Sequence, residues 1–246
     1  MFNRFVNRLR PRVGNACFCT LAIHAPYRQR ARLLVADAPE VEWVVLTDEP
    51  DEFVDLPVRA IRHQPTGPMA IDFLTRLPPT GNGRGRPAYH DKRFVLESAL
   101  KEFETAVFVD ADTRIRSRPR MPTFRPGIAV VKEVQASIAE HLSRYGTARL
   151  PVFEELAVHL TGDIESLHSA RWCSEALFAV TKDGNESKFM EAWARGAAFM
   201  SSKGLFTGEG GVIGLAAMSA GWTVDYEKLN KLASQTRHEG HGPKTK

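Results

Sequence analysis

Several things are scarce in this chain of 246 residues. Only three cysteines occur, Cys17, Cys19 and Cys173, too few for a disulfide framework and without the second pair or nearby histidine of a zinc set. They read as buried, reduced thiols. No apolar run approaches the ~18 residues needed to span a bilayer, which argues against an integral membrane protein. The N-terminus lacks the continuous apolar stretch and small-residue cleavage site of a secretory signal, so a cytoplasmic location is expected. No acidic residue precedes Asp37, while seven arginines do: Arg4, Arg8, Arg10, Arg12, Arg28, Arg30 and Arg32. The net charge of +4 therefore comes from a basic N-terminal face on a body that is slightly acidic. No zinc-finger, homeodomain or RNA-recognition signature accompanies that face, and no nucleic-acid partner is expected. There is also no glycine-rich phosphate loop after the first strand candidate, which counts against ATP- or NAD-dependent chemistry.

What is present is ordinary globular material, 43% hydrophobic and 25% charged, enough for one α/β domain with a large core. In residues 1–12, Phe2, Phe5, Val6 and Leu9 stand at helical spacing among arginines, which predicts either a short amphipathic helix on an anionic membrane or a terminal helix packed on the domain. Strand-like runs follow at Ala16–Ala22, Val41–Thr47, Val58–Arg62, Ala106–Val109, Ile128–Val131 and Leu177–Val180. Between Gln64 and Pro87 lies a Pro- and Gly-rich stretch that reads as a long loop, of the kind used as lids. Asp91–Glu104 reads as a helix, with Val95, Leu96, Ala99, Leu100 and Phe103 on one face. Two further helices are marked by Phe189, Ala192, Trp193 and Ala197, and by Val212, Leu215, Ala216 and Ser219. Alternating strands and helices with fully apolar strands predict a mostly parallel sheet flanked by helices in a single domain.

The most informative chemistry is Asp110-Ala111-Asp112 at the carboxyl end of a buried strand. Residues i and i+2 of an extended chain project to the same side, so both carboxylates face one point. A hard divalent cation, Mg²⁺ or Mn²⁺, resolves their repulsion and can neutralise a departing diphosphate. A solvated turn with a capping aspartate is the plainer alternative. Haloacid-dehalogenase-type phosphatases also carry Asp-x-Asp after an apolar strand, but need Thr or Val where this chain has Arg114. From Arg114 to Arg125 five arginines occur without an acid. Alternate spacing would put Arg114, Arg116, Arg118 and Arg120 on one side of an extended strand, facing an anionic acceptor or lipid, or forming a solvated edge.

The run Tyr89-His90-Asp91-Lys92-Arg93-Phe94-Val95-Leu96, followed by Ala106-Val107-Phe108-Val109-Asp110-Ala111-Asp112-Thr113, resembles GT-A-fold glycosyltransferases, nearest to the glycogenin and galactosyltransferase-like branch. The resemblance implies a Rossmann-like GT-A domain over residues 14–236, between a basic amphipathic segment at 1–13 and a basic, histidine-bearing tail at 237–246. It implies that Asp112 binds metal and that Asp110 touches both metal and ribose. Lys92 or Arg93 would meet the phosphates, unless they are simply an exposed basic helix end. Thr20, Ala22, Tyr27 and Asp48 would surround the nucleotide, with Tyr27 either stacking on the base or packing its helix. In Arg171-Trp172-Cys173-Ser174-Glu175, Trp172 would stack on sugar or serve the core, and Glu175 stands where the family has an acceptor-side segment. Glu209, in Gly208-Glu209-Gly210, is the expected catalytic or sugar-positioning carboxylate, or else an acid favoured by a helix N-terminus. The C-terminal His238-Glu239-Gly240-His241-Gly242-Pro243-Lys244 is similar to the family's His-x-x-Gly-x-x-Lys element, with His238 or His241 as a further metal ligand and Lys244 at the diphosphate. The implied activity is hexosyl transfer from a nucleotide-diphosphate sugar, UDP-linked by preference, to a hydroxyl of a glycan or glycolipid, with Mn²⁺ or Mg²⁺. A metal-dependent phosphatase or nucleotidyltransferase, and a non-catalytic sugar-nucleotide-binding protein, are the alternatives.

Overall fold

Five apolar runs and the mixed edge segment Val58–Arg62 build the central sheet of the computed structural model, which describes residues 15–66, 89–131, 136–205 and 207–239. Segment 1–13, most of the Pro/Gly-rich stretch, His241 and Lys244 lie outside those residues. The strands are β1 (Ala16–Ala22), β2 (Trp43–Thr47), β3 (Val58–Arg62), β4 (Thr105–Val109), β6 (Gly127–Val130) and β7 (Leu177–Thr181), and a separate short ribbon pairs β5 (Thr113–Ile115) with β8 (Thr236–His238). The sheet order is β3-β2-β1-β4-β7-β6. β1, β2, β3 and β4 run parallel, and β7 is the single reversed strand, antiparallel to both β4 and β6. This is the mixed α/β, Rossmann-like architecture expected, a mostly parallel sheet flanked by helices.

Every central strand sends alternate side chains to opposite faces, and both faces are covered. Cys17, Cys19, Val44, Leu46, Ala106, Phe108, Phe178 and Val180 join the core beneath α2 (Lys92–Leu100), α3 (Ile138–Tyr145), α4 (Leu150–Thr161), α6 (Glu186–Ser202) and α7 (Glu209–Ser219). Phe18, Trp43, Val45, Val107, Val109, Leu177 and Ala179 face the other way, onto α1 (Ala25–Asp37) and α8 (Asn230–Ser234). A short helix, α5 (Ser166–Ser169), follows α4. All three cysteines are buried free thiols, and burial pushes the Cys17 thiol up to about 12. Among the described residues no helix is long and apolar enough to cross a membrane.

Three differences from the sequence reading matter. The helix expected to reach Glu104 ends at Leu100, although Phe103 still packs on the same core. The arginine run is not one strand: β5 holds only Arg114, because Asp37 at the end of α1 captures the Arg114 guanidinium through two bonds of 2.7 and 2.6 Å and also accepts the Ile115 N–H. Pro119 and Pro122, which lack an N–H, stand in the chain beyond it, and Arg118 turns to Glu40 instead. Finally, the expected tail begins inside a strand, since Arg237 and His238 belong to β8 and pair with Arg114 and Thr113.

The chain runs outward from β1 through β2 to β3, then returns to the opposite side of β1 for β4. The crevice past the carboxyl ends of β1 and β4 is therefore the topological switch point, where open α/β sheets bind ligands.

Candidate functional site

Asp110 and Asp112 leave β4 directly into that crevice. A tight turn, with the Thr113 N–H donating to Asp110 O at 2.9 Å, fixes their spacing. The Asp110 N–H donates to Ala176 O at 2.8 Å, which ties the turn to the chain entering β7. The β5–β8 ribbon then brings the far end of the sequence to the same place. His238 Nδ1 lies 3.1 Å from Asp112 Oδ1 and 3.5 Å from Thr113 Oγ1, and the Glu239 N–H donates to Asp112 O at 2.9 Å. Ligand atoms of Asp110, Asp112 and His238 all lie within 4.8 Å of one another, a set that could hold a divalent metal. The hydrogen bond to Asp112 raises the His238 imidazole above its ordinary range, against the opposing effect of its partial burial. Arg30, from α1, also reaches Asp112 at 3.6 Å.

Behind the aspartates stands Lys92, the first residue of α2, only 5% exposed. Its ammonium donates to Glu209 Oε1 at 3.1 Å and to the Glu175 backbone carbonyl at 3.0 Å, and lies 3.5 Å from Asp110 Oδ1. Burial alone would depress this ammonium, but Asp110, Glu209 and Glu175 outweigh it and hold the group above its usual value. The carboxylates respond differently to the shared cation. Burial raises Asp110, with Lys92 opposing. Burial also opposes ionisation of Glu209, yet Lys92 leaves it below the ordinary range. Glu175 is pushed up to about 8 by burial and then by the charge of Glu209. One oxygen of Glu175 accepts the Gly210 N–H at 2.8 Å, in the first turn of α7. His90 backs the cluster: the Trp193 indole N–H donates to its Nδ1 at 3.2 Å, and burial pushes the ring down to about 4, so it is neutral.

α7 can approach this closely because it begins with glycines. A Cβ on Gly210 would stand 2.3 Å from Cys173 O and 2.5 Å from Trp172 Nε1, and one on Gly214 would stand 1.9 Å from Arg171 O. Both positions need the absence of a side chain rather than an unusual backbone.

The other expected residues are placed as follows. Tyr27, in the first turn of α1, is half-buried near Asp110 and Asp112; burial, then Tyr89 and these aspartates, raises its phenol. Thr20 and Ala22 are wholly buried in β1, and the Thr20 hydroxyl has no hydrogen-bond partner among the described residues. Asp48 accepts the His24 N–H through both oxygens, at 3.3 and 3.1 Å, and pairs with Arg28 at 2.9 Å. It thereby holds the junction between β1 and α1, where His24 has a left-handed φ of 72°. Arg93 turns away from Lys92, donating to His90 O at 2.8 Å and lying 4.0 Å over the Phe94 ring. Trp172 is 5% exposed, with one face covered by the His141 ring. Residues the sequence reading did not single out are Arg30, His90, Tyr89 and His141. Arg30 carried a signal, since it stands three residues after Tyr27 on the same helical face.

A scan of protein-family models matches none, and a search of curated proteins returns no match. Among solved structures, the chain is similar to mouse xyloside xylosyltransferase 1 in its apo form, at 9% identity and a TM-score of 0.45, over 86% of this chain and 84% of that one.

Proposed function

We propose that this chain is a metal-dependent glycosyltransferase that moves a hexose from a nucleotide-diphosphate sugar, UDP-linked by preference, to a hydroxyl of a glycan or glycolipid. The observation that carries this reading is the convergence of Asp110 and Asp112, from the end of β4, with His238, from a strand near the C-terminus, at the switch point of the sheet. The resemblance of residues 88–115 to GT-A enzymes supplies the reaction class. Two carboxylates and one imidazole are a donor set that suits Mn²⁺ better than Mg²⁺, because imidazole is a poor partner for the harder ion. Bound there, the metal would neutralise charge on a diphosphate leaving group.

The protein's own groups do the remaining work in this reading. Tyr27 and the end of β1 would face the base and ribose, and Asp110 would help hold the metal and contact the ribose. Glu209 is held ionised next to the site and serves as the carboxylate at the reacting centre. Lys92 acts through its neighbours: it orients Glu209 and Asp110 instead of reaching a phosphate from an exposed helix end. His238 or His241 would supply the further metal ligand, and Lys244 would meet the diphosphate. The basic segment 1–13 would rest on the anionic inner face of a membrane where a glycolipid acceptor is made, and loss of liposome binding on deleting residues 1–12 tests that part.

The central test is thermal shift against UDP, GDP, CMP, ADP and their sugars, with and without Mn²⁺. At about 100 times its Kd a ligand stabilises by roughly 2.7 kcal/mol. One nucleotide class should stabilise the wild type only with metal, and Asp112→Asn should abolish the response. An Asp112→Asn protein that responds like wild type would remove the transferase reading. Release of phosphate from a phosphoryl substrate without sugar transfer would replace it with the phosphatase one.

A further inference from the structure

Beside the start of α7 the chain builds a ledge of three rings, the inner pair stacked and the outer pair tilted by 49°. His141 and Tyr145 stand four residues apart on one face of α3. The His141 ring lies on the Trp172 indole, with centroids 3.7 Å apart and planes 14° from parallel, and the Tyr145 ring follows at 5.0 Å. The stack emerges from the core, from buried Trp172 to Tyr145, which is 70% exposed. Capping fixes its direction: Ser137 Oγ accepts the Glu140 N–H, and the Glu140 carboxylate accepts the Ser137 N–H at 2.7 Å.

Arg149 lies between the end of α3 and the start of α7. It follows Gly146, where a Cβ would stand 2.9 Å from its Nε, and its Nη1 lies 3.4 Å from the Cβ position of Gly208, the residue before Glu209. Nη2 donates to Tyr145 O at 3.5 Å, while Nε is buried and has no hydrogen-bond partner among the described residues. Among the described residues no carboxylate comes within ion-pair distance of Arg149, nor of its exposed neighbours Arg144 and Arg171. Glu140 is held in the cap, where the charges of Arg144 and Arg171 also help to lower it, and Glu209 is engaged with Lys92. Burial, and then the positive charge of Arg149 and Arg144, holds the His141 imidazole below its ordinary range.

An aromatic ledge suits the flat apolar face of a sugar ring. A guanidinium with no acid within ion-pair distance among the described residues suits an oxyanion, which it can bind through two parallel N–H bonds. We infer that the ledge formed by His141, Tyr145 and Arg149 is the acceptor subsite, and that the acceptor is a saccharide carrying an anionic group. This inference rests on the transferase reading for the word acceptor, and on the ledge's continuity with Glu209 for its place.

The test uses the full chain with Mn²⁺ and UDP, and disaccharide probes that differ only in one ring: neutral hexose, uronic acid, sulfate ester and phosphate ester. Binding is read by ligand-detected NMR. The anionic probes should bind at least about tenfold tighter than the neutral one, and the member that binds best identifies the source of the oxyanion. Arg149→Ala should remove that preference. Tyr145→Ala, at an exposed position that leaves folding intact, should weaken all probes together. Both variants should keep the metal-dependent nucleotide response. Equal binding of neutral and anionic probes, a preference that survives Arg149→Ala, or no probe binding at all would overturn the inference. Loss of the nucleotide response in the wild type, with anion preference kept, would strike the transferase reading and leave the anion site standing.

Discussion

Lys92 and Arg149 both meet the start of α7, and the fold surrounds them in opposite ways. Lys92 is enclosed by oxygen: Glu209, Asp110 and the Glu175 carbonyl all lie within 3.5 Å of its ammonium. Arg149 has one long bond to a backbone carbonyl and a buried Nε with no hydrogen-bond partner among the described residues. A cation with its donors satisfied fixes the geometry of its neighbours and has nothing left for a ligand. A cation without an acid contributes little to the resting fold and stays available to an incoming oxyanion. The contrast divides the site into a held region, at the ends of β1 and β4, and an open one along α3.

The sharpest way to break that contrast is to remove the enclosed cation. Lys92→Met keeps the length of the side chain and strands Asp110 and Glu209 without their counter-charge. Breaking a buried pair from one side costs about 3–5 kcal/mol, so urea unfolding at neutral pH should show a loss of that size. A loss under about 1 kcal/mol would mean that the carboxylates find water or protons instead and that Lys92 does not organise the site.

The wall between the two regions gives the next largest effect. Gly214 faces the backbone of Arg171, with 1.9 Å between a notional Cβ and Arg171 O. Backbone cannot swing aside as a side chain can, so Gly214→Ala should destabilise by roughly 1–3 kcal/mol as an overpacked contact. Displacement of Trp172 should also loosen the His141 stack, measurable as a change in indole fluorescence.

Much of the held region is legible along the chain, and little of the open one. The strands are apolar runs such as Trp43–Thr47 and Thr105–Val109, buried on both faces, and Asp110-x-Asp112 follows one of them. Their direction is not legible, because a run such as Leu177–Thr181 reads alike whether it runs parallel or antiparallel. The β5–β8 pairing joins two three-residue strands more than a hundred residues apart, too short to show a period. The Ser137-x-x-Glu140 cap is written in the sequence, but which ring α3 stacks on is decided by tertiary packing. Lys92 and Arg93 look interchangeable as adjacent cations. On a helix they point about 100° apart, so one is enclosed and the other lies over Phe94.

His238 sharpens the comparison from the metal side. Its pKa is raised, chiefly by the hydrogen bond to Asp112. In the metal-free protein the protonated pair is therefore fully stabilising below the unfolded imidazole's value of about 6.5, and the contribution is lost as pH rises through the raised folded value. Metal needs the neutral ring, so Mn²⁺ affinity should climb with pH across the same window, by up to about tenfold per unit. Titration calorimetry at several pH values checks this, and His238→Ala should flatten the slope. A slope that persists in His238→Ala would move the proton competition to another group.

The smallest expected effect is the most discriminating. If Arg149 is free of internal acids because it serves a ligand, Arg149→Met should leave stability within about 0.5 kcal/mol of wild type, since the apolar stem is kept and the unpartnered Nε is removed. Lys92→Met likewise replaces a cation by a thioether, so the two variants compare a charge enclosed by carboxylates with one that has no acid within ion-pair distance among the described residues. Comparable losses in both, by the same urea unfolding, would show that Arg149 is also structural, held by contacts to Gly146 and Gly208. A large gap between them would show that charge at this site is divided between holding and binding.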